Sequence, residues 1–382
     1  MDKRRGTTAA NAKADKSRPP LWARFCAILG AVLMVVSGGL LITSEALVAR
    51  YAGSVKTDDL FGDGAAGAAK EKVSDIKGPV NILLVGIDPR NAHTRPLADS
   101  VMVAHVGADM KQLYIFSIAR DLVVDIPAFP KAGFNGGRDR INSAMSYGSN
   151  VPGSDKPNVA RGFELLSMTV AQLTGIERFD AGAIINFGGF KKIVDAMGGV
   201  TMYIDERTKS EHLQPDGTPR PHNGCNTCAH PYYGPYAVYE KGTQHLKGWQ
   251  ALDFVRQRYG LKGGDYGRQR HQQQFVKAMA AQAMSKDVVT NPIKLDKVLR
   301  AAGESLVFNG RGHTVVDWGL ALKGVDTQDI TMIKLPGRSN IVNGKYAGEA
   351  LESSADEFFE SINNGTVAQF LLDNPRYINK VK

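Results

Sequence analysis

The chain has 382 residues, 43% of them hydrophobic and 22% charged, with 41 glycines and 17 prolines. That composition excludes a collagenous, a wholly disordered or a small disulfide-stapled protein and leaves room for one large domain or two. The formal net charge is +9, but residues 1–24 hold seven bases and two acids, so the excess is concentrated in a short leader and a strongly basic nucleic-acid-binding body is excluded.

Phe25 to Ser44 are twenty residues without a formal charge, bounded by Arg24 and Glu45. As a helix they would cover roughly 30 Å, the thickness of a bilayer's hydrocarbon. The stretch predicts a transmembrane helix over 25–44. The leader 1–24, with Lys3, Arg4, Arg5, Lys13, Lys16, Arg18 and Arg24, would stay cytoplasmic and the rest of the chain would lie outside the cell membrane. A signal peptide cleaved among the small residues near Ser37–Ala46 is the competing reading; an apolar stretch longer than a usual signal core favours the single-pass anchor. Residues 45–78 are polar with Gly and Ala clusters and read as a linker.

VNILLVGI (80–87) is a continuous apolar run ending at Asp88, which predicts a strand buried on both faces with a site at its end. The runs 100–106 and 112–119, joined by a short polar turn, predict an antiparallel hairpin. Val159, Phe163, Leu166, Val170 and Leu173 are spaced for a helix over 159–174 that stops at Gly175. A strand at 181–187, a helix at 190–199 and a strand at 200–205 give the alternation of a layered α/β domain. Residues 206–245 form a Pro- and Gly-rich excursion, an insertion or a lid. Helices at 248–257, 268–285, 292–302 and 314–323, a strand at 328–335 and a helix at 355–363 follow. The expectation is one domain over 79–375, three-layer α/β/α with a central mixed sheet, preceded by one transmembrane helix.

Of the three cysteines, Cys26 sits at the edge of the apolar stretch, where it reads as a small packing residue. Cys225 and Cys228 form C-x-x-C in a turn-rich loop, and outside the cell a local disulfide is the favoured state. Zinc held with His222 and His230 is the alternative, at a spacing that matches no standard finger. A thioredoxin-like role lacks a strand running into the motif.

Four clusters offer chemistry. Asp88, Arg90, Arg95, Asp99 and Ser100 follow the first strand; the two carboxylates, eleven residues apart, either converge at adjacent strand ends as hard ligands for Mg²⁺ or Mn²⁺, or serve as turn and cap residues. Arg120 and Asp121 end another apolar run. Arg138, Arg140 and Asn142 occupy a Gly-flanked loop entering a helix, a setting that favours anions. Arg256, Arg258, Asp265, Arg268, Arg270, His271, Gln272 and Gln273 fall within eighteen positions. On a helix Arg268, His271 and Gln272 share one face. Arg256 and Arg258 share a face only where the chain has left the helix. Arginine forks bind phosphate oxygens in pairs, each charge-assisted bond contributing about 1.5–3 kcal/mol, so these clusters describe a pyrophosphate clamp. Scattered surface salt bridges, worth little, are the plain alternative. The P-loop, H-E-x-x-H and G-x-S-x-G signatures are absent from the sequence.

The segments NILLVGIDPR, ADS, SIARD, INSA, FGGF…DAMGGV, HLKGWQALDFVRQR and GDYGRQRHQQQF, in this order, resemble the LytR-CpsA-Psr family of cell-wall glycopolymer transferases, in an actinobacterial form, over roughly residues 80–285. The resemblance implies a membrane-anchored, extracytoplasmic, Mg²⁺-dependent phosphotransferase. Such an enzyme moves a glycopolymer from a polyprenyl-pyrophosphate carrier to a peptidoglycan hydroxyl. It implies metal binding by Asp88 and Asp99, and pyrophosphate binding by Arg90 and Arg120. Arg256, Arg258 and Arg268 would surround the phosphates, with Asp265 orienting one of them and Arg138 and Arg140 as further candidates. Asp99, Arg120 and Arg268 are the implied catalytic residues. Two positions depart from the family pattern: Ala119 replaces a usual proline, and His271 stands where a second arginine is usual, with Arg270 one position earlier, so both are carried as candidates. The lipid would need a dry groove, for which the apolar faces of 159–174 and 268–285 are candidates. Hydrolysis of the same lipid pyrophosphate, and a tethered glycan-binding regulator without turnover, are the rival functions.

Overall fold

The computed structural model describes residues 55–62 and 76–379, apart from 90, 226–227, 229–230, 284–290, 315–316, 319–320 and 326–329. The leader 1–24, the predicted span 25–44, Arg90 and His230 lie outside the described residues. Among the described residues no helix is long and apolar enough to cross a membrane.

The central sheet is built from β1 (Lys56–Thr57), β2 (Val80–Ile87), β3 (Ala98–Val106), β4 (Leu113–Ile118), β7 (Ala181–Asn186), β12 (Leu306–Asn309) and β13 (Thr331–Lys334). Their order is β1-β12-β7-β2-β3-β4-β13. β2 runs parallel to β7 and antiparallel to β3, β3 antiparallel to β4, and β4 parallel to β13, so the sheet is mixed as expected. Side chains alternate faces along β2. Ile82 and Leu84 enter one apolar cluster and Leu83 and Val85 the other, which is why the run is apolar throughout.

Helices cover both faces. On the first lie α3 (Phe187–Ala196), α4 (Gly248–Arg256), α5 (Asp265–Ala283) and α6 (Pro292–Ser305), through Ile193, Phe254, Phe275 and Val298. On the second lie α1 (Ile141–Gly148), α2 (Val159–Thr174), α7 (Ser354–Asn363) and α8 (Val367–Asp373), through Ile141, Phe163, Phe358 and Leu371. The Asn158 side chain caps α2, and Gly175 ends it in the left-handed region at φ 71°, a conformation open to glycine at little cost. The α/β architecture with a mixed sheet between helices therefore stands.

Three expectations change. The linker 45–78 is not all tether: Lys56 and Thr57 pair with Val307 and Phe308 at the sheet edge, Leu60 is fully buried and the Phe61 ring packs edge-on against Phe163. A polar stretch too short for an apolar period can still supply an edge strand, because backbone pairing asks little of sequence. Of the helix expected at 314–323, the described part ends in a 3₁₀ turn at Leu322–Gly324. The hairpins β5 (Val123–Ile126) with β6 (Gly137–Arg140) and β14 (Gly337–Val342) with β15 (Lys345–Leu351) were not foreseen, since both are short and half exposed. The excursion contributes β9 (Thr208–Lys209) and β10 (Val238–Tyr239), while β8 (Val200–Ile204) pairs with β11 (Gly242–Leu246).

Candidate active site

The sheet brings one end of several strands together. β2 ends at Ile87 beside the start of β3, and β4 ends at Ile118 opposite Val101. Asp88, Asp99 and Arg120 therefore emerge at the same edge. A register shift at Gly86/Ile87 marks that edge, and Gly86 has only a hydrogen facing Ser100, where a Cβ would come within 3.2 Å of the serine Cβ. β7, parallel to β2, delivers Asn186, which caps α3 by accepting from Gly189 N at 2.6 Å and sets Phe187 at the same rim.

A cleft of about 290 Å³ opens there. Its walls include Asp88, Asp99, Arg120, Arg256, Arg258 and Arg268, residues from four separate stretches of chain. Arg120 Nη1 donates to Asp99 Oδ1 at 2.6 Å, and Arg256 Nη2 to Asp88 Oδ2 at 2.7 Å. The Arg256 guanidinium lies 5.1 Å from the Phe187 ring centroid. α4 ends at Arg256 because Gln257 turns extended (φ −63°, ψ 136°), and this lets Arg256 and Arg258 face one cleft although they are two apart.

Arg268 is 5% exposed and contacts Asp265 through Nη2 at 2.7 Å. Burial pulls its pKa down against the attraction of Asp265. For Arg120 burial also pulls down, but Asp121, Asp99 and Asp265 outweigh it and its pKa rises. Both remain cations. Among the described residues, neither Arg120 Nε nor Arg268 Nε makes a hydrogen bond. Arg120 Nε has the Asp121 carboxylate 3.5 Å away, whereas the buried Arg268 Nε is left without an acceptor, which is expensive unless an anion meets it.

The remaining candidates lie elsewhere. Arg140 reaches Asp121 at 3.6 Å, one carboxylate removed from Arg120, and Arg138 is an exposed partner of Asp125. Arg95 is exposed and points to Asn150. Arg270 and His271 do not line the cleft. Arg270 bonds Asp205 at 2.5 Å and Glu206 at 2.7 Å, and His271, fully buried, lies 3.1 Å from Asp205 and stacks on Phe254. At about 100° per residue, Gln272 stays within 40° of Arg268 while His271 swings toward α4, so the face shared on paper divides in three dimensions. Burial raises the Asp205 pKa, yet the bonds to His271 and Arg270 prevail and hold it well below the carboxylate range.

The excursion 206–245, expected as an insertion or a lid, lines one side of the cleft. Glu211, His212, Cys228 and Tyr232 form its far wall. Glu211 N donates to the buried Gln257 Oε1 at 2.9 Å, which ties the excursion to the end of α4. Burial, with Arg256, Arg220 and Arg258 nearby, holds the His212 imidazole below its ordinary pKa and hence neutral. Cys225 and Cys228 are joined as a disulfide, the expected state.

A second, apolar cavity of about 80 Å³ adjoins the cleft, with Phe187 and Gln272 in both linings. Leu84, Met102, Ala183, Phe190, Phe275 and Met279 line it, between the sheet and helices α3 and α5. Of the two apolar faces considered for a greasy groove, 268–285 supplies this wall. The face of 159–174 is instead spent on the opposite core.

The LytR_cpsA_psr family model matches residues 51–364. Among curated relatives, the chain is 26% identical over 368 residues to cell wall biosynthesis protein LcpA of Corynebacterium glutamicum, covering 90% of this chain and 65% of that one. It is 28% identical over 213 residues to polyisoprenyl-teichoic acid–peptidoglycan teichoic acid transferase TagU of Bacillus cereus, covering 56% and 55%. The chain thus spans less than two thirds of these relatives. The crystal structure of Bacillus subtilis TagV shares the fold, with a TM-score of 0.53 at 21% identity over 76% of this chain and 98% of that one. With its mixed sheet, its strand-end cleft and a match over most of its length, the chain belongs to the LytR_cpsA_psr family.

Proposed function

We propose that the chain is a phosphotransferase that attaches a glycopolymer from a polyprenyl-pyrophosphate carrier to a peptidoglycan hydroxyl. One observation carries this reading: the arginine-rich cleft and the apolar cavity share Phe187 and Gln272, so a doubly charged head in the cleft would have the start of a greasy tail against the apolar lining. The transferase name of TagU agrees with it.

In this reading Arg120, Arg256, Arg258 and Arg268 grip the pyrophosphate, and the unsatisfied Nε donor of Arg268 finds a phosphate oxygen. An acceptor hydroxyl attacks the phosphorus next to the glycan. A new P–O bond forms to the acceptor, the P–O bond to polyprenyl phosphate breaks, and the hydroxyl proton leaves with that phosphate. Such a transfer asks the protein mainly for placement and charge, both of which the arginines supply. Asp265 holds Arg268 in position. Asp88 and Asp99 fit a divalent ion, since two hard carboxylates line one cleft where phosphate oxygens would complete the ligand set. Mg²⁺, or Mn²⁺, held by them would neutralise charge on the pyrophosphate.

The same proposal places the domain outside the cell membrane, with 25–44 as a single-pass anchor and 1–24 cytoplasmic. The Cys225–Cys228 disulfide supports an oxidising compartment. The test is the full chain in nanodiscs with a lipid-pyrophosphate-linked glycan, Mg²⁺ and peptidoglycan oligomers. Glycan transfer that requires the oligomers is expected. Phosphate release without them would instead indicate a phosphatase, and tight lipid binding without turnover a regulator. Calorimetric Mn²⁺ titration of wild type against Asp88→Asn and Asp99→Asn tests the ion site apart from activity.

A further inference from the structure

A third cavity, of about 460 Å³, lies within the excursion and on its border with the loop after α4. It shares Glu211, Tyr232 and Tyr259 with the charged cleft, on a wall that contains none of the residues shared with the apolar cavity. The three spaces therefore follow one another: apolar cavity, charged cleft, excursion cavity.

Its lining differs from both neighbours. Tyr236 and Tyr259 offer partly open rings, 37% and 47% exposed. Lys209 Nζ stands 5.1 Å and the Arg220 guanidinium 5.5 Å from the Tyr236 centroid. Arg207 is paired with Glu240, and Lys209 and Arg220 still outnumber the one lining carboxylate, Glu211. The floor is held firmly. Arg220 donates to the carbonyls of Ser210, Glu211, Tyr232 and Gly234, binding two limbs of the excursion together, and its buried Nε makes no hydrogen bond among the described residues. Arg258 Nη2 donates to the Tyr259 hydroxyl at 2.9 Å, linking a clamp arginine to this wall.

We infer that this cavity is a saccharide subsite for an anionic glycan, formed by the 206–245 excursion and opening onto the phosphate cleft. Pyranose rings present C–H faces that pack on tyrosine and hydroxyls that bond to Glu211 and the tyrosine O–H groups, while Lys209 meets a phosphate or carboxylate on the sugar. The inference rests on the transferase reading. The donor's first sugars and the acceptor strand share this chemistry, and both must reach the phosphorus in the adjoining cleft.

The experiment titrates the full chain in detergent micelles with two probes: geranylgeranyl pyrophosphate, and the disaccharide N-acetylglucosaminyl-N-acetylmuramic acid with its lactyl carboxylate. Wild type is expected to bind both. Tyr236→Ala and Lys209→Ala, neither of which touches the charged cleft, should weaken the disaccharide at least about tenfold and leave geranylgeranyl pyrophosphate unchanged. Tyr236→Phe, which keeps the ring, should retain most of the disaccharide affinity and serves as the folding control. A synthetic geranylgeranyl-pyrophosphoryl-N-acetylglucosamine then separates the sources: competition with the disaccharide assigns the subsite to the donor's sugar, simultaneous binding assigns it to the acceptor. Disaccharide affinity that is absent, or equal in wild type and both alanine variants, overturns the inference while pyrophosphate binding persists. Loss of pyrophosphate binding in wild type overturns the transferase reading instead.

Discussion

Asp99 lies on β3 and Arg120 two residues past the end of the antiparallel β4, and the sheet register brings the two within 2.6 Å, Nη1 to Oδ1. Asp99 thus holds the guanidinium at the cleft while Arg120 Nε, beyond the pair, has no hydrogen bond among the described residues. Arg120→Ala is expected to lower kcat/KM for glycan transfer roughly 10- to 150-fold, the equivalent of one charge-assisted bond. Arg120→Lys should recover only part, because an ammonium lacks the planar fork. Steady-state kinetics against donor concentration check both; wild-type rates in Arg120→Ala would remove this residue from the clamp.

The apolar cavity gives a second expectation. Val276 lines it from α5 and is partly exposed, so a larger side chain there can fill the space without overpacking the core. Val276→Phe should weaken geranylgeranyl pyrophosphate by about tenfold or more and leave inorganic pyrophosphate affinity unchanged. Parallel displacement titrations with the two ligands would show it; an equal loss of both would mean that the cavity does not take the tail.

Arg270 is expected to act on stability alone. Its two half-buried ion pairs, to Asp205 and Glu206, join α5 to the end of β8, outside the cleft. Arg270→Ala should cost about 1–3 kcal/mol in urea denaturation, with kcat/KM per folded molecule within about twofold of wild type. A large kinetic loss at unchanged stability would put Arg270 back among the phosphate ligands.

His105 contributes to acid sensitivity. It is 2% exposed, 2.8 Å from Asn81 Oδ1 through Nδ1, and burial lowers its pKa from 6.5 to about 4. The unfolded chain takes up a proton near pH 6.5 and the folded one only near pH 4, so stability is full above 6.5 and falls as the pH drops through that window. The loss should approach roughly 3 kcal/mol. His105→Gln should remove this share of the dependence between pH 7 and 4 and leave that of His212, read from unfolding midpoints at half-unit steps.

Much of the fold was legible because it is written in local periodicity. The apolar run of β2, the hairpin of β3 and β4 and the spacing and terminal glycine of α2 all follow from rules acting over a few residues. The strand ends in turn pointed to Asp88, Asp99 and Arg120, and the arginine-rich stretch pointed to Arg256, Arg258 and Arg268. β1 and β14–β15 were not legible, since their pairing is decided by distant partners such as Val307 for Lys56.

The sequence by itself determined which chemistry was available: rigid cationic forks, two hard carboxylates and apolar strands to carry them to one edge. Only the tertiary structure decided which arginines line the cleft. Arg268 and Arg270 are two residues apart, yet helical geometry turns one into the cleft and the other onto Asp205, and no spacing rule distinguishes them until the partners' positions are fixed. The excursion is the same case, because the contacts that set Tyr232 and Tyr259 on a wall shared by two cavities join residues far apart in the chain, and long-range packing leaves no local signature.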